Sequence, residues 1–144
     1  MICYFDTSAL VKRYFSEEGT ETVLKLFEQA DLLLVTSSIT LVEGYHGICR
    51  KCVEDKLSTR IRNRIINQFK KDLTDFKIVD FLPVIVQRAQ KIIGSYTLKT
   101  LDAIHLASAL AIKHNPKVKI HFVSSDGKQG AVAQKYGLIL LHPQ

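Results

Sequence analysis

The chain has 144 residues with a formal net charge of +6, and 49 of its residues are Leu, Ile, Val or Phe. This length fits a single domain over residues 1–144, and so high an apolar content excludes a disordered chain. No apolar stretch approaches the roughly 20 residues of a membrane span, and the first residues do not resemble a signal peptide. The three cysteines cannot all pair into disulfides. We therefore expect a cytoplasmic protein, and its basic charge favours an anionic partner.

Strand and helix patterns alternate along the first half of the chain. Short runs of strand-forming residues end at Asp, Thr and Ser, which favour helix N-caps. Apolar residues at spacings of three and four then predict amphipathic helices. The predicted elements of this half are a strand over 2–5, helices over 7–15 and 20–30, a strand over 32–35, a helix from Ser38 to about 52 and a long helix from Ser58 to about 76.

The second half continues the same alternation. Pro83 is placed to open a helix, Thr100 to cap the next one, and Gly137 to end the last one. The predicted elements are strands over 77–81, 117–123 and 138–141 and helices over 83–96, 101–114 and 126–136. Alternation without hairpin turns predicts an α/β fold with a mostly parallel sheet of about five strands and helices on both faces.

Four carboxylates fall where this fold brings side chains together. Asp6 and Asp126 follow predicted strands, while Asp102 and Glu43 lie in early turns of helices. Ligands bind beyond the carboxyl ends of parallel strands, and carboxylates crowded there share protons or hold a cation. Oxygen ligands select a hard ion such as Mg²⁺ or Mn²⁺. Taken singly, each acid is explained as well by a cap, a helix-dipole contact or a surface ion pair.

Around these acids the sequence resembles the PIN-domain ribonucleases, and most closely the VapC-type toxins of toxin–antitoxin systems. The resemblance covers nearly the whole chain and ends on Tyr136-Gly137-Leu138. The stretch around Asp102 is its most specific part. The four matching segments are Asp6-Thr7-Ser8-Ala9-Leu10, Ser38-Ile39-Thr40-Leu41-Val42-Glu43, Leu101-Asp102-Ala103-Ile104-His105-Leu106-Ala107 and Phe122-Val123-Ser124-Ser125-Asp126.

The resemblance implies a three-layer α/β/α sandwich and a ribonuclease that depends on Mg²⁺ or Mn²⁺. It implies metal binding by the three aspartates, and catalytic roles for Asp6, Glu43, Asp102 and Asp126. Ser8 and Ser124 are expected to support the site. The family also implies an RNA substrate, a cognate antitoxin and a homodimer. Residues 127–130 depart from the family pattern because they contain two glycines and Gln129, which predicts a late start for the last helix.

Positive charge is conspicuous between residues 50 and 71, where eight Lys or Arg accompany two acids. A basic surface of this kind can bind a phosphate backbone. We therefore predict nucleic-acid contacts for Arg50, Lys51, Arg60 and Arg64. A solvated helix face explains any one of these residues equally well. His105, on an apolar helix, is expected to be a hydrogen-bonded core residue.

Two other functions stay open on the sequence. One is a catalytically silent module that binds nucleic acid with the same fold, although the retained acids argue against it. The other is a housekeeping or DNA-directed nuclease of the PIN type, although a short single-domain chain favours the toxin. Glycine-rich phosphate loops and the zinc-peptidase motif are absent.

Overall fold

Five parallel strands form one sheet in the computed structural model, which describes all residues from 1 to 144. The strands lie in the order β3-β2-β1-β4-β5, and every neighbouring pair is parallel. The strand order reverses between β1 and β4, and ligands bind at such a switch point, beyond the carboxyl ends of the strands. The strands are β1 (Ile2–Phe5), β2 (Leu33–Ser37), β3 (Lys77–Val79), β4 (Ile120–Val123) and β5 (Ile139–Leu141).

Seven α-helices connect the strands or cover them. None of them has the length and hydropathy of a membrane span. A short 3₁₀ helix, Lys12–Tyr14, follows the first helix. The helices are α1 (Thr7–Val11), α2 (Thr20–Phe27), α3 (Thr40–Glu54), α4 (Thr59–Leu73), α5 (Pro83–Tyr96), α6 (Thr100–Ala111) and α7 (Gly127–Lys135).

Each face of the sheet has its own hydrophobic core. On β1, the buried Tyr4 belongs to the core that contains α5, α6 and α7, whereas Cys3 and Phe5 belong to the core that contains α1 to α4. This division follows from the two-residue period of a strand, whose successive side chains point to opposite faces. Strands covered on both sides are apolar throughout. The structure thus confirms the α/β sandwich that the sequence predicts.

Close packing between α3 and α4 depends on a glycine. A Cβ atom at Gly44 would lie 2.5 Å from Cζ of Phe69, which is itself buried in the core on this face. Any larger residue would therefore push the two helices apart. Gly44 lies next to Glu43 in the chain, so this packing also helps to fix the position of Glu43, one of the predicted catalytic acids.

Several element boundaries differ from the predicted ones, and for two of them the hydrogen bonds show the reason. β2 continues past the predicted end at residue 35 through Thr36 and Ser37, and the hydroxyl of Thr36 donates to the carbonyl of Phe5 (2.8 Å) across the sheet. α3 begins at Thr40 rather than at Ser38. The backbone N–H of Ser38 donates instead to the carbonyl of Val79 (2.9 Å), which ties the end of β2 to β3.

Candidate active site

The carboxyl ends of β1 and β4 bring two of the predicted acids to neighbouring positions. The backbone N–H of Asp6 donates to the carbonyl of Val123 (3.1 Å), so the paired strands stay in register up to the first acid. Asp6 also caps α1, since its carboxylate accepts from the backbone N–H of Ala9 (2.8 Å). Asp126 caps α7 in the same way, accepting from the N–H of Gln129 (2.8 Å). The prediction of a late start for the last helix is therefore wrong, because α7 begins directly after Asp126.

Asp6 is the most enclosed of the four acids, with 4% of its surface exposed. The hydroxyl of Ser8 lies 2.9 and 3.0 Å from its two carboxylate oxygens, and the hydroxyl of Ser124 lies 2.6 Å from Oδ2. Burial raises the pKa of Asp6 above its ordinary value, although the nearby His105 and these hydrogen bonds oppose the rise. The structure thus places Ser8 and Ser124 against the first aspartate and leaves that aspartate without a neighbouring Lys or Arg.

Gln129 connects all three aspartates from a fully buried position. Its backbone N–H donates to Asp126, and its side-chain amide donates to the carbonyl oxygen of Asp102 (3.1 Å). Its Oε1 lies 2.8 Å from the hydroxyl of Ser124, which has one proton to share between Gln129 and Asp6. The same hydroxyl accepts from the N–H of Asp126 (3.0 Å). This network explains why an amide follows Asp126 in this chain.

Asp102 lies half-buried in the first turn of α6. The N-cap of this helix is Lys99, not Thr100 as predicted, and Thr100 is the first helical residue. Burial raises the pKa of Asp102, and the negative charges of Asp126 and Asp6 raise it further. The charges of Asp6 and Asp126 therefore both act on Asp102, as neighbouring carboxylates do when no cation compensates them.

Glu43 has different partners from the aspartates. Its Oε1 accepts from the hydroxyl of Thr7 (2.8 Å) and lies 2.6 Å from Nε2 of His105. On the other side of the ring, Nδ1 of His105 lies 2.9 Å from the hydroxyl of the buried Tyr4. If Tyr4 donates to Nδ1, the ring proton sits on Nε2 and is donated to Glu43. His105 is thus the hydrogen-bonded core residue that the sequence predicts, and it also holds a predicted catalytic acid.

The pKa of Glu43 lies below its ordinary value. Burial alone would raise it, but the hydrogen bond and charge of His105 and the hydrogen bond from Thr7 outweigh that effect. Glu43 is therefore a carboxylate at neutral pH. Both of its hydrogen bonds use Oε1, so Oε2 is left for a water or a substrate atom.

An open cleft of about 460 Å³ adjoins these acids. Thr7, Ser8 and Glu43 line it, and the first two directly follow Asp6 in the chain. Its lining also contains Lys12, His46, Arg50 and Lys51, together with the acid Glu17. Carboxylates and cations that line one cleft form a site where a phosphate can be held next to a metal ion.

The four predicted nucleic-acid contacts fall into two separate groups. Arg50 and Lys51 line the cleft, although the ammonium group of Lys51 is paired with Glu17 (2.5 Å). Arg60 and Arg64 instead lie on the outer face of α4, in a polar groove with Asn63, Asn67, Gln68 and Lys71. The structure thus brings only the first pair to the acids.

The chemistry of the donor set fits a hard divalent ion, although the side chains are not arranged as a closed metal site. No group of three His, Cys, Asp or Glu side chains has ligand geometry. The candidate ligands Asp6, Asp102 and Asp126 offer oxygen donors only, and Asp6 and Asp102 have raised pKa values from burial, with mutual repulsion adding to that of Asp102. A cation would remove both penalties, and oxygen donors suit Mg²⁺ or Mn²⁺.

Comparison with known families agrees with this geometry. The family model described as "PIN domain" matches residues 3–135. The chain is a member of the PIN-domain family. No curated protein matches it in sequence.

Several solved structures share the fold of this PIN domain at low sequence identity. The FitAcB structure from Neisseria gonorrhoeae superposes with a TM-score of 0.71 at 18% identity, covering 99% of this chain and 98% of that one. The VapBC2 structure from Rickettsia felis, bound to a DNA fragment from its promoter, gives 0.70 at 17% identity and covers 100% of both chains. VapC20 of Mycobacterium tuberculosis, a toxin that cleaves the sarcin–ricin loop, gives 0.68 at 15% identity, covering 98% and 99%. The PIN domain thus shares its fold with these toxin–antitoxin structures.

Two of the residues that organise this site are not predicted by the sequence. Thr7 is only a cap-forming residue there, and Gln129 is only a departure from the family pattern. One signal exists for Gln129, because it lies three and four residues before Val132 and Ala133 and so shares the apolar face of the last helix with them. Nothing in the sequence pairs Thr7 with Glu43, because the two are 36 residues apart.

Proposed function

We propose that this PIN domain is an endoribonuclease that hydrolyses RNA phosphodiester bonds with Mg²⁺ or Mn²⁺, and that it is the toxin of a toxin–antitoxin pair. The observation that carries the proposal is the network that joins Asp6, Asp102 and Asp126 through Ser124 and Gln129, next to a cleft whose lining contains Lys and Arg side chains. Such a site can hold a divalent ion next to a phosphate. The membership in the PIN family supports the same reaction class.

Each group of residues would have its own task in this reaction. Asp6, Asp102 and Asp126 would hold the ion, which when bound neutralises charge on the phosphate and assists ionisation of a water molecule. Ser8 and Ser124 keep the carboxylate of Asp6 in one orientation.

Glu43 would orient the attacking water with Oε2, since Thr7 and His105 fix the carboxylate through Oε1. Its lowered pKa keeps it an acceptor at neutral pH. Arg50, which lines the same cleft, would contact the neighbouring phosphate. In-line attack would leave a 5′-phosphate and a 3′-hydroxyl.

The negative charges of the three aspartates also indicate what kind of protein partner would bind at the site. Uncompensated carboxylates favour a basic inhibitor, because an Arg or Lys side chain inserted among them forms charge-assisted hydrogen bonds. We therefore propose a cognate antitoxin with a basic arm, together with a homodimer acting in the cytoplasm. Co-expression with the protein encoded next to this one, followed by purification and mass measurement, tests both. A chain that stays alone and monomeric would contradict this part of the proposal.

The decisive experiment is cleavage of a cellular RNA pool by the protein after treatment with a chelator. We expect discrete cuts when Mg²⁺ or Mn²⁺ is restored, and none with Asp6→Asn or Asp102→Asn. The matched control is Asp80→Asn, because Asp80 follows β3 at the far edge of the sheet and is exposed. It should cut like the parent chain.

Melting curves give a second readout that does not depend on cleavage. A divalent ion at ten times its Kd should stabilise the parent chain by about 1.4 kcal/mol, and should do so much less in Asp6→Asn. Cleavage that survives in both site variants would refute the assignment. RNA binding without cleavage at any metal concentration would point to the silent binding module.

A further inference from the structure

Positive charge is not confined to residues 50–71. Residues 81–144 contain eight Lys or Arg, and their only acids are Asp102 and Asp126, both at the candidate active site. These residues include α5, α6 and α7, which cover one face of the sheet. Outside the candidate site, the charged side chains of this part of the chain are therefore all cationic, and the proposed reaction assigns them no role.

A groove of about 370 Å³ lies on this layer, at the opposite end of α7 from Asp126. Its lining is half cationic and half apolar or aromatic. The residues are Arg88, Lys91, Ile92, Leu110, Lys113 and Tyr136.

The groove contains a cationic group that the protein leaves unsatisfied. Nη1 of Arg88 is buried and has no hydrogen-bond partner. Arg88, Lys91 and Lys113 take part in none of the ion pairs of the chain. Lys113 is held in place because its ammonium group donates to the carbonyl of Gly137 (3.0 Å). Buried donors are normally paired, so the guanidinium group of Arg88 keeps unused hydrogen-bonding capacity that suits an anionic oxygen.

Further cations connect the groove with the active site. Lys128 lies two residues after Asp126, and its ammonium group donates to the carbonyl of Thr97 (3.1 Å). Lys135 lies 5.0 Å from the ring centroid of Tyr96, whose ring in turn meets that of Tyr136 edge-on at 5.7 Å. At 1.5 Å per helical residue, Asp126 and Tyr136 are separated by about 15 Å along α7. A single phosphate cannot contact both ends, whereas a polymer of phosphates can.

We propose that the groove and these lysines bind the phosphate backbone of the RNA outside the cleaved bond. The identity of the polymer rests on the proposed function. The groove would thus favour RNA of several nucleotides over a dinucleotide, since a single phosphate cannot contact both the site and the groove. Removing one cation that binds a phosphate should reduce the slope of log affinity against log salt by about 0.7 for a single strand.

Binding without cleavage tests this inference. Affinity is measured in chelator at several salt concentrations, for a short RNA that is a dinucleotide and for a long RNA of about 40 nucleotides. The variant is Arg88→Gln/Lys91→Gln, and the control is Lys25→Gln/Lys77→Gln, which removes two exposed cations outside this layer. We expect the variant to bind the long RNA about tenfold more weakly and with a slope lower by about 1.4. Binding of the short RNA should not change, and the control should behave like the parent chain.

Three results would overturn the inference. They are unchanged binding of the long RNA, an equal reduction of affinity in the control, and a change in oligomeric state without a change in RNA affinity, which would make the groove a protein interface. Lys91→Glu, at an exposed position, repeats the test if the double variant unfolds. Because cleavage is not measured, a protein that binds RNA here and never cuts it would refute the proposed function and leave this inference standing.

Discussion

Replacing Gln129 by Ala tests whether one buried amide holds the candidate active site together. The change removes the side-chain contacts with Ser124 (2.8 Å) and with the carbonyl of Asp102 (3.1 Å). It leaves the backbone N–H that caps α7 through Asp126. The effect is therefore limited to the link between α7, β4 and α6.

The expected loss of stability is about 3–4 kcal/mol. Two side-chain hydrogen bonds contribute about 1 kcal/mol each, and the removed part of a fully buried side chain adds about 0.8 kcal/mol for each of about two methylene-sized groups. For a domain of this size, such a loss lowers the melting temperature by about 6–15 °C. Cleavage at 25 °C should fall at least tenfold, because Ser124 and Asp102 lose their common partner.

Gln134→Ala is the matched control, since Gln134 lies exposed on the same helix. Unfolding in urea and metal-dependent cleavage are measured for both variants under conditions where both are folded. The control should stay within about 0.5 kcal/mol of the parent chain. If Gln129→Ala also stays within about 1 kcal/mol and cuts normally, the network is not what positions the aspartates.

Three further predictions concern the rest of the chain. His105→Asn should lower the cleavage rate at least tenfold while the stabilisation by divalent ion persists, because His105 contacts Glu43, the proposed catalytic carboxylate, and none of the proposed metal ligands. Loss of that stabilisation would contradict this role. The pKa of Asp72 is lowered, because hydrogen bonds from Arg13, Tyr14 and Gln68 outweigh the opposing effect of burial. Its contribution to stability is therefore present above its unfolded pKa of about 3.9 and lost as pH falls through the lower folded value. Melting temperatures of the parent chain and of Asp72→Asn should accordingly differ at pH 7 and converge near pH 2; a constant difference would exclude this linkage. Gly44→Ala should destabilise the protein by about 1–3 kcal/mol, because the added methyl group would contact Phe69. Gly94→Ala, which has open space around it, should stabilise the protein by about 0.5–1 kcal/mol. Urea midpoints that shift in the same direction for both variants would refute the packing argument.

The order and type of the elements follow from the sequence because local interactions decide them. Apolar residues at helical spacing give the buried faces of α4 and α6, and Pro83 occupies the first position of α5 as predicted. Asp6 directly follows β1 and caps α1, and Asp126 lies shortly after β4 and caps α7. These are effects between residues close in the chain, so a single sequence contains them.

The sequence also determined which residues carry the charge and which acids stand at the ends of strands. Only the tertiary structure decided how these groups are paired. It joins Glu43 to His105 across 62 residues and Ser124 to Asp6 across 118, and it separates Arg60 and Arg64 from the cleft that Arg50 lines. The physical reason is that hydrogen bonds and electrostatic interactions act over a few ångströms in space, and packing of the two helical layers on the sheet sets those distances.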